Sequence, residues 1–269
     1  MAQHEFEKVT VESHGNVAVL KLNDPGALNA VSMEMLKGLR QAMDHVEKAE
    51  NGYRCLIMTG TGRGFCAGAN LQGGAGSSEF NPEARDAGAA LEREYHPFLR
   101  RLKTLRMPFV TAVNGPAAGV GMSFALMGDL ILASKTAYFM QAFRRIGLVP
   151  DGGSTWLLPR LVGMARAKEL SLLGEKLSAE TALSWGLINR VYDENALLDE
   201  AMKTARELAA GPTVALSLIR KLYWESPDNS YEEQLNLERW SQKEAGRTSD
   251  FTEGVAAFLQ KRPAKFEGK

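Results

Sequence analysis

Hydrophobic positions in the first half of the chain fall into short runs bounded by glycine, proline or asparagine. Between the first two runs, apolar residues follow Ser32 at three- and four-residue spacing, which predicts an amphipathic helix. Strand-like runs alternating with a helix of this kind predict an α/β core in which helices cover a sheet. The predicted strands lie at residues 17–22, 54–60, 109–115, 129–134 and 137–141.

From about residue 178 the apolar spacing becomes helical throughout. Asp250, with Glu253 three residues later, has the spacing of a capping box for the last predicted helix. Helices are predicted after a Ser178 cap and ending at Gly186, at 195–210, from Pro212 as first helical residue, at 231–245 and at 251–260.

The change in spacing divides the chain into two regions, a mixed α/β core at residues 1–177 and a helical C-terminal region at residues 178–269. Short amphipathic helices cannot bury their apolar faces alone. The C-terminal region is therefore predicted to pack on the core or on another subunit, which favours an oligomer.

Composition excludes several classes of partner. The 269 residues are 45% hydrophobic, enough for a large core, and 32 basic residues balance 32 acidic ones. This balance predicts neither nucleic acid nor a membrane surface as a partner. The N-terminal residues do not resemble a signal or transit peptide, and no apolar stretch reaches the ~20 residues of a membrane span. Two cysteines, Cys55 and Cys66, predict no disulfide framework and fit a reducing, cytoplasmic location.

Several common chemistries are also excluded. The four histidines lack metal-ligand spacing to the cysteines, so no metal site is predicted. No histidine follows His96 and no G-x-S-x-G occurs, which excludes an α/β-hydrolase triad. GTGRG at 60–64 departs from the dinucleotide fingerprint, and GPAAGVGMS lacks the lysine of a phosphate-binding loop.

Two glycine-rich segments, residues 62–71 and 114–129, each follow directly after a predicted strand. Small residues there allow a ligand to approach the backbone closely. Val120 and Gly121 are expected at a helix start, where backbone N–H groups lack partners. Two such donors converging from separate loops could stabilise an enolate oxygen. The alternative is ordinary tight packing between a strand and a helix.

One acid, Asp151, stands in the apolar segment IGLVPDGGSTWLLPR between a proline and two glycines. Pro-Asp-Gly is typical of a tight turn, and on this segment alone a structural turn is a sufficient explanation. Asp129 is likewise interpreted as a turn residue. The glycine- and serine-rich part of residues 72–100 predicts a mobile segment that shapes one end of a pocket.

FCAGANL, AVNGPAAGVGM and IGLVPDGGSTWLLPRLVG together resemble motifs of the enoyl-CoA hydratase/isomerase (crotonase) superfamily. The resemblance continues through ALNAVSMEM, WGLINRVYD and FLQKRPAKF and so covers nearly the whole chain. It implies a crotonase-like spiral of ββα units with a helical C-terminal oligomerisation region that forms homotrimers or hexamers. It also implies an acyl-CoA thioester as substrate, with coenzyme A part of that substrate and no separate cofactor.

The resemblance also assigns roles to residues. The backbone N–H groups of Ala69 and Val120 match the oxyanion hole of the family, and Lys261 matches a residue that reaches coenzyme A in a neighbouring subunit. The positions that match coenzyme A contacts are Leu28, Ala30, Arg63, Ala67, Gly68, Ala69, Leu71 and Lys261.

Departures from the family pattern favour one reaction. The two glutamates with which the hydratases of the family activate water correspond to Ser123 and Phe143, and neither is a general base. Asp151 matches the acid of the isomerase branches. The expected function is therefore acyl-CoA isomerisation with a single aspartate, either a 3-enoyl to 2-enoyl shift or opening of an aryl epoxide of phenylacetyl-CoA to an oxepin. An enoyl-CoA hydratase and a non-catalytic acyl-CoA binder remain the alternatives.

Overall fold

The computed structural model describes residues 2–71 and 86–269. Residues 72–85, part of the segment predicted to be mobile, lie outside the described residues. The described strands are β1 (Ala2–Phe6), β2 (Val9–His14), β3 (Val17–Leu22), β4 (Cys55–Gly60), β5 (Phe109–Val113), β6 (Ala117–Ala118), β7 (Leu130–Ser134), β8 (Tyr138–Met140), β9 (Leu177–Ser178) and β10 (Arg190–Tyr192).

The described helices include a π-helical turn, Leu91–Tyr95, between α2 and α3. Their bounds are α1 (Met33–Val46), α2 (Ala87–Ala90), α3 (His96–Lys103), α4 (Val120–Ala125), α5 (Ser154–Leu173, interrupted at Gly163), α6 (Ala179–Ser184), α7 (Leu197–Ala210), α8 (Thr213–Glu225), α9 (Tyr231–Ala245) and α10 (Ser249–Leu259). Within the described residues, no helix is both long and apolar enough to cross a bilayer.

The main sheet contains seven of the described strands in the order β1-β2-β3-β4-β5-β7-β10. β1, β2 and β3 pair antiparallel, and the remaining neighbours pair parallel, with Val17 opposite Cys55 and Leu56 opposite Phe109. A smaller sheet has the order β6-β8-β9. Because the carboxyl ends of parallel strands lie at one edge, the loops after β4 and β5 are brought side by side.

Alternate residues of the parallel strands are buried on opposite faces of the main sheet. Ile57 packs in a cluster with Ala201 of α7, and its neighbour Met58 packs in a second cluster with Leu39 of α1. Helices therefore cover both faces, as buried parallel strands require. This arrangement confirms the predicted α/β class.

Two predicted helix starts are confirmed by their caps. The Ser32 side chain accepts a hydrogen bond from the Met35 amide at 3.2 Å, and the Ser178 side chain accepts one from Thr181 at 3.2 Å. Pro212 differs from its prediction by one position, since it is the N-cap of α8 and Thr213 is the first helical residue.

The predicted capping box of the last helix is wrong. α10 starts two residues earlier than expected, and the Thr248 side chain accepts the capping hydrogen bond at 3.1 Å. Asp250 is 2% exposed, and its carboxylate accepts hydrogen bonds from two backbone amides of the C-terminal segment at 2.7 and 2.8 Å. Glu253 forms an ion pair with Arg262. These carboxylates fasten the C-terminal segment to α10.

The C-terminal region is also not helical throughout. β10 pairs parallel with β7, with Val191 opposite Ala133, and completes the main sheet. α7 then follows and packs on that sheet. Three residues make too short a run for hydrophobic spacing to identify, so only the long-range pairing defines this strand.

Asp129, interpreted as a turn residue, holds the helical region to the core. Its carboxylate accepts a hydrogen bond from the Phe109 amide at 2.7 Å and forms an ion pair with Arg220 of α8. The Arg220 side chain is buried and also donates to the backbone carbonyls of Leu102 and Leu105. One guanidinium thus links α8 to the end of α3 and to the start of β7.

Replacing this guanidinium by an apolar side chain is expected to destabilise the fold. Arg220→Met removes the guanidinium from the buried ion pair with Asp129 and from two backbone carbonyls, at a cost of about 3–5 kcal/mol in the free energy of unfolding. Urea denaturation measures the loss. The control is Arg247→Met, which removes an exposed ion pair with Glu244 and is expected to cost less than about 1 kcal/mol. Equal losses in the two variants would contradict this account.

Candidate active site

The loops after β4 and β5 are joined backbone to backbone. The Cys66 amide donates to the Pro116 carbonyl, and the Ala118 amide donates to the Cys66 carbonyl, both at 2.9 Å. A Cβ atom on Gly121 would overlap the Cys66 carbonyl, and one on Gly115 would overlap the Arg63 carbonyl. Glycine at both positions therefore permits the contact that aligns the two loops.

Two asparagine side chains fix the first loop. Asn114 accepts a hydrogen bond from the Gly60 amide at 3.0 Å and donates to the Gly62 carbonyl at 2.8 Å. Asn29 is fully buried and donates to the carbonyls of Thr61 and Gly64 at 3.0 and 2.8 Å.

Sequence reasoning named the neighbours of Asn29 and missed the residue itself. Asn29 has a φ of +56° and follows Leu28 at +50°. Asparagine tolerates this left-handed region better than most residues, but the sequence alone does not place it there.

The amides of Ala69 and Val120 lie on these joined loops. Ala69 forms a parallel bridge with Val31, in which the Val31 amide donates to Gly68 at 2.7 Å and the Asn70 amide donates to Val31 at 2.8 Å. In such a bridge the N–H of the central residue faces away from its partner.

Val120 is the first residue of α4, so its N–H has no acceptor inside the helix. Within the part of the chain that the structure describes, neither the Ala69 nor the Val120 N–H donates to a protein acceptor. A Cβ on Gly68 would lie 4.0 Å from the Gly119 Cα, so the segments that carry the two amides run side by side.

Asp151 lies in the turn between a 3-10 segment, Ala142–Ile146, and α5. Its backbone carbonyl accepts hydrogen bonds from the Ser123 hydroxyl at 2.9 Å, the Ser154 hydroxyl at 2.8 Å and the Ser154 amide at 3.1 Å. Its side chain is different, since the buried Oδ1 atom has no hydrogen-bond partner among the described residues. The main chain of Asp151 is thus held by three hydrogen bonds, whereas its Oδ1 atom is held by none from the residues that the structure describes.

The environment of this carboxyl group favours its protonated form. Burial raises the pKa of Asp151 to about 6, and the nearby His96 opposes the rise. Burial also raises the pKa of Tyr95 to about 12, assisted by the charges of Asp151 and Cys66. At pH 7 Asp151 is mostly ionised, and its proton affinity is higher than that of an ordinary aspartate. A group of this kind can both take up and return a proton.

The turn of Asp151 packs directly against the helix that begins with Val120. A Cβ on Gly152 would lie 2.6 Å from the Ser123 Cβ and 3.6 Å from the Val120 Cγ2. Phe143 is buried nearby, with its Cζ 3.8 Å from the position of a Cβ on Gly119. The structure thus brings Asp151, Val120, Ser123 and Phe143 around one end of α4.

Tyr95 belongs to the same region, and the sequence analysis did not single it out as a site residue. It is 9% exposed and ends the π-helical turn Leu91–Tyr95. Such turns often occur at functional sites. The charge of Asp151 contributes to the raised pKa of Tyr95, a relation that neither the spacing nor the residue type of Tyr95 signals.

Most residues matched to coenzyme A contacts lie along the first loop and the segment that supports it. The Ala67 amide donates to the Leu28 carbonyl at 3.0 Å, and Leu71 is 47% exposed. Arg63 is exposed on the same loop. Lys261 lies apart, exposed at the end of α10, and within the described residues its side chain forms no hydrogen bond or ion pair. Its role in a neighbouring subunit stays a prediction.

Solved structures share this architecture. An enoyl-CoA hydratase subunit from Geobacillus kaustophilus matches with a TM-score of 0.89 at 33% identity, over 99% of this chain and 100% of that one. The class defined by the fold is therefore the crotonase class of α/β proteins. The family model for enoyl-CoA hydratase/isomerase matches residues 12–269, and the chain belongs to the enoyl-CoA hydratase/isomerase family.

Curated relatives carry names from two branches of this family. A 1,2-epoxyphenylacetyl-CoA isomerase from Escherichia coli K12 is 46% identical over 94% of this chain and 95% of its own length. A probable enoyl-CoA hydratase from Rhodobacter capsulatus is 39% identical over 98% of this chain and 99% of its own length. The family is thus established, and the particular reaction depends on the residues of the site.

Two adjacent glycines test the packing of the Asp151 turn. Gly152 and Gly153 have φ values of +61° and +80°, so alanine is strained at either position by about 1 kcal/mol. A Cβ at 153 meets no atom of the described residues within 4 Å, whereas a Cβ at 152 meets Ser123. Gly152→Ala is expected to lower the free energy of unfolding by about 1–3 kcal/mol more than Gly153→Ala, measured in urea. Equal losses would show that the turn does not pack against α4 as described.

Proposed function

We propose that this protein is an acyl-CoA isomerase in which Asp151 is the single acid and base. The observation that carries the proposal is the buried Oδ1 of Asp151, which has no partner in the described part of the chain. It lies in a turn packed against the helix whose first amide is that of Val120. The amides of Ala69 and Val120 are the proposed donors to the thioester oxygen.

The proposed reaction moves one proton between two carbons. The Asp151 carboxylate takes the proton from C2 of a 3-enoyl-CoA, and the electron pair of that C–H bond delocalises onto the thioester oxygen. The two amides stabilise this enolate, and removal of one such donor typically costs about 3 kcal/mol of barrier. Asp151 then returns the proton to C4, and the double bond moves into conjugation with the thioester. One carboxyl group suffices because both carbons present the same face.

Two neighbouring residues support isomerisation over hydration. Addition of water needs a base that orients and activates the water molecule. The Ser123 hydroxyl already donates to the Asp151 carbonyl, and Phe143 is a buried hydrocarbon ring. Since both hydratase glutamates are replaced, neither position supplies that base. A hydratase remains the second candidate because the Rhodobacter capsulatus relative is named a probable enoyl-CoA hydratase.

The proposed substrate is the acyl thioester of coenzyme A, with no separate cofactor. The loop that carries Arg63, Ala67, Gly68 and Leu71, with Leu28 and Ala30 beside it, is the proposed coenzyme A site. For the acyl group we propose either a 3-enoyl chain or an epoxide of phenylacetyl-CoA. The second follows from the 46% identity to the Escherichia coli 1,2-epoxyphenylacetyl-CoA isomerase.

We also propose that the protein forms homotrimers or hexamers. Large apolar side chains stand exposed on the C-terminal helices, including Tyr223 at 76%, Phe258 at 83% and Leu259 at 73%. Exposed apolar surface of this kind is typical of a subunit interface.

The activity test uses 3-enoyl-CoA and follows the ultraviolet absorbance of the conjugated product. Because Asp151 must be ionised to take the first proton, kcat/KM is expected to fall as the pH drops through about 6.

Asp151→Asn is expected to lower kcat by about 10²–10⁴-fold while acyl-CoA binding persists. The control, Asp199→Asn, changes an exposed aspartate of α7 and leaves kcat unchanged.

Two outcomes separate the alternatives. Rapid Asp151-independent conversion of crotonyl-CoA to its hydroxy product would establish a hydratase instead. Tight acyl-CoA binding with no turnover of either 3-enoyl-CoA or epoxyphenylacetyl-CoA would indicate a non-catalytic binder.

The oligomer is tested by light scattering coupled to size exclusion. The expected mass is three or six times the 29.4 kDa of one chain. Phe258→Glu places a charge on the exposed apolar surface and is expected to shift the mass towards one chain, since an unpaired charge at an interface is costly. A monomer of wild-type sequence at micromolar concentration would overturn the proposal.

A further inference from the structure

Ser123 forms a hydrogen bond that is unusual for a serine inside a helix. It lies in α4, is fully buried, and its hydroxyl donates at 2.9 Å to the Asp151 carbonyl, 28 residues away in the chain. A buried hydroxyl in a helix commonly bonds a carbonyl of the preceding turn. Here the hydrogen bond joins two separate elements, α4 and the turn before α5.

Two further donors converge on the same carbonyl. The Ser154 hydroxyl and the Ser154 amide lie 2.8 and 3.1 Å from the Asp151 oxygen. Both belong to the first residue of α5, so they fix the carbonyl relative to that helix only. Of the three donors that the described residues provide, Ser123 is the one that fixes the carbonyl relative to α4, which carries Val120.

None of these donors touches the carboxyl group. Its buried Oδ1 has no hydrogen-bond partner among the described residues. A hydroxyl bonded to the carboxylate itself would stabilise the anion and weaken it as a base. A hydroxyl bonded to the backbone carbonyl orients the residue and leaves its basicity intact.

We propose that Ser123 is a positioning residue, whose hydroxyl holds the main chain of Asp151 against α4 so that the carboxyl group stays aligned with the Ala69 and Val120 amides and out of water. This inference rests on the proposed isomerase function. It assigns to Ser123 a role in proton transfer, not contact with substrate.

The groups around the carboxyl group define what loss of this hydrogen bond does. Burial is the main cause of the raised pKa of Asp151, and the charge of His96, at the start of α3, opposes it. Tyr95, at the end of the π-helical turn, interacts electrostatically with Asp151. Asp151 is half-buried, and when the turn is free to move away from α4, more water reaches its carboxyl group. The pKa of Asp151 then falls from about 6 towards the value of an exposed aspartate.

The test compares Ser123→Ala, Ser123→Cys and Ser154→Ala with the wild type in the 3-enoyl-CoA assay. Ser123→Ala is expected to lower kcat by about 10- to 100-fold with KM within about twofold, because small misplacements of a reacting group have effects of this size. The midpoint of the acid limb of kcat/KM is expected to move from about 6 towards 4.

The other two variants separate hydrogen bonding from packing. Ser123→Cys keeps a side chain of similar volume with a weak donor, so it is expected to behave as Ser123→Ala does. Ser154→Ala keeps the Ser154 amide on the same carbonyl and is expected to lose less activity than Ser123→Ala.

Three results would overturn the inference. The first is a wild-type kcat together with a wild-type acid limb of the pH profile in Ser123→Ala. The second is a wild-type kcat in Ser123→Cys, and the third is a loss of activity in Ser123→Ala that appears in KM alone. Asp151→Asn is assayed alongside. An active Asp151→Asn would refute the isomerase mechanism itself, whereas an inactive Asp151→Asn with an unaffected Ser123→Ala would refute only the positioning role.

Discussion

The structure around the site depends on one constraint in the hydrogen bonding of Asp151. Among the described residues, three donors bind its backbone carbonyl and none binds its Oδ1 atom. Asp151 is half-buried, but a buried carboxylate oxygen without a partner is costly, and most proteins pair it. Here the position of the carboxyl group is maintained because Ser123 of α4 and Ser154 of α5 both donate hydrogen bonds to the Asp151 carbonyl. The consequence is a carboxyl group with a raised pKa at a fixed position, which is what reversible proton transfer needs.

The parallel sheet positions the loops that carry the Ala69 and Val120 amides. β4 and β5 are neighbours, so their exit loops meet, and the bridge between Cys66 and Ala117 joins them. Asn29 and Asn114 bind the carbonyls of the first loop and fix its path, and among the described residues the Ala69 and Val120 amides have no protein acceptor. Such preorganised donors need no rearrangement when charge develops on a bound oxygen. The proposed mechanism uses both features, the amides for the enolate and Asp151 for the proton.

Local signals in the sequence predicted much of this fold. Ser32 and Ser178 cap helices as expected, and the buried strands follow the apolar runs, because both features depend on residues close together in the chain. The sequence did not reveal contacts that join distant residues, such as Arg220 with Asp129 or Ser123 with the Asp151 carbonyl. Asp151, Ala69 and Val120 were predicted as site residues through family resemblance. The role of Ser123 was missed because its residue type alone indicates only the loss of a glutamate.

The most direct test of the account is the ionisation of Asp151 itself. Carbon-13 NMR of protein labelled at the aspartate carboxyl carbons follows this titration, and Asp151→Asn identifies the resonance by its disappearance. The account predicts that the Asp151 carboxyl group titrates near pH 6, well above the exposed aspartates. Titration near pH 4, with the exposed groups, would show that water reaches the carboxyl group and would contradict the central claim.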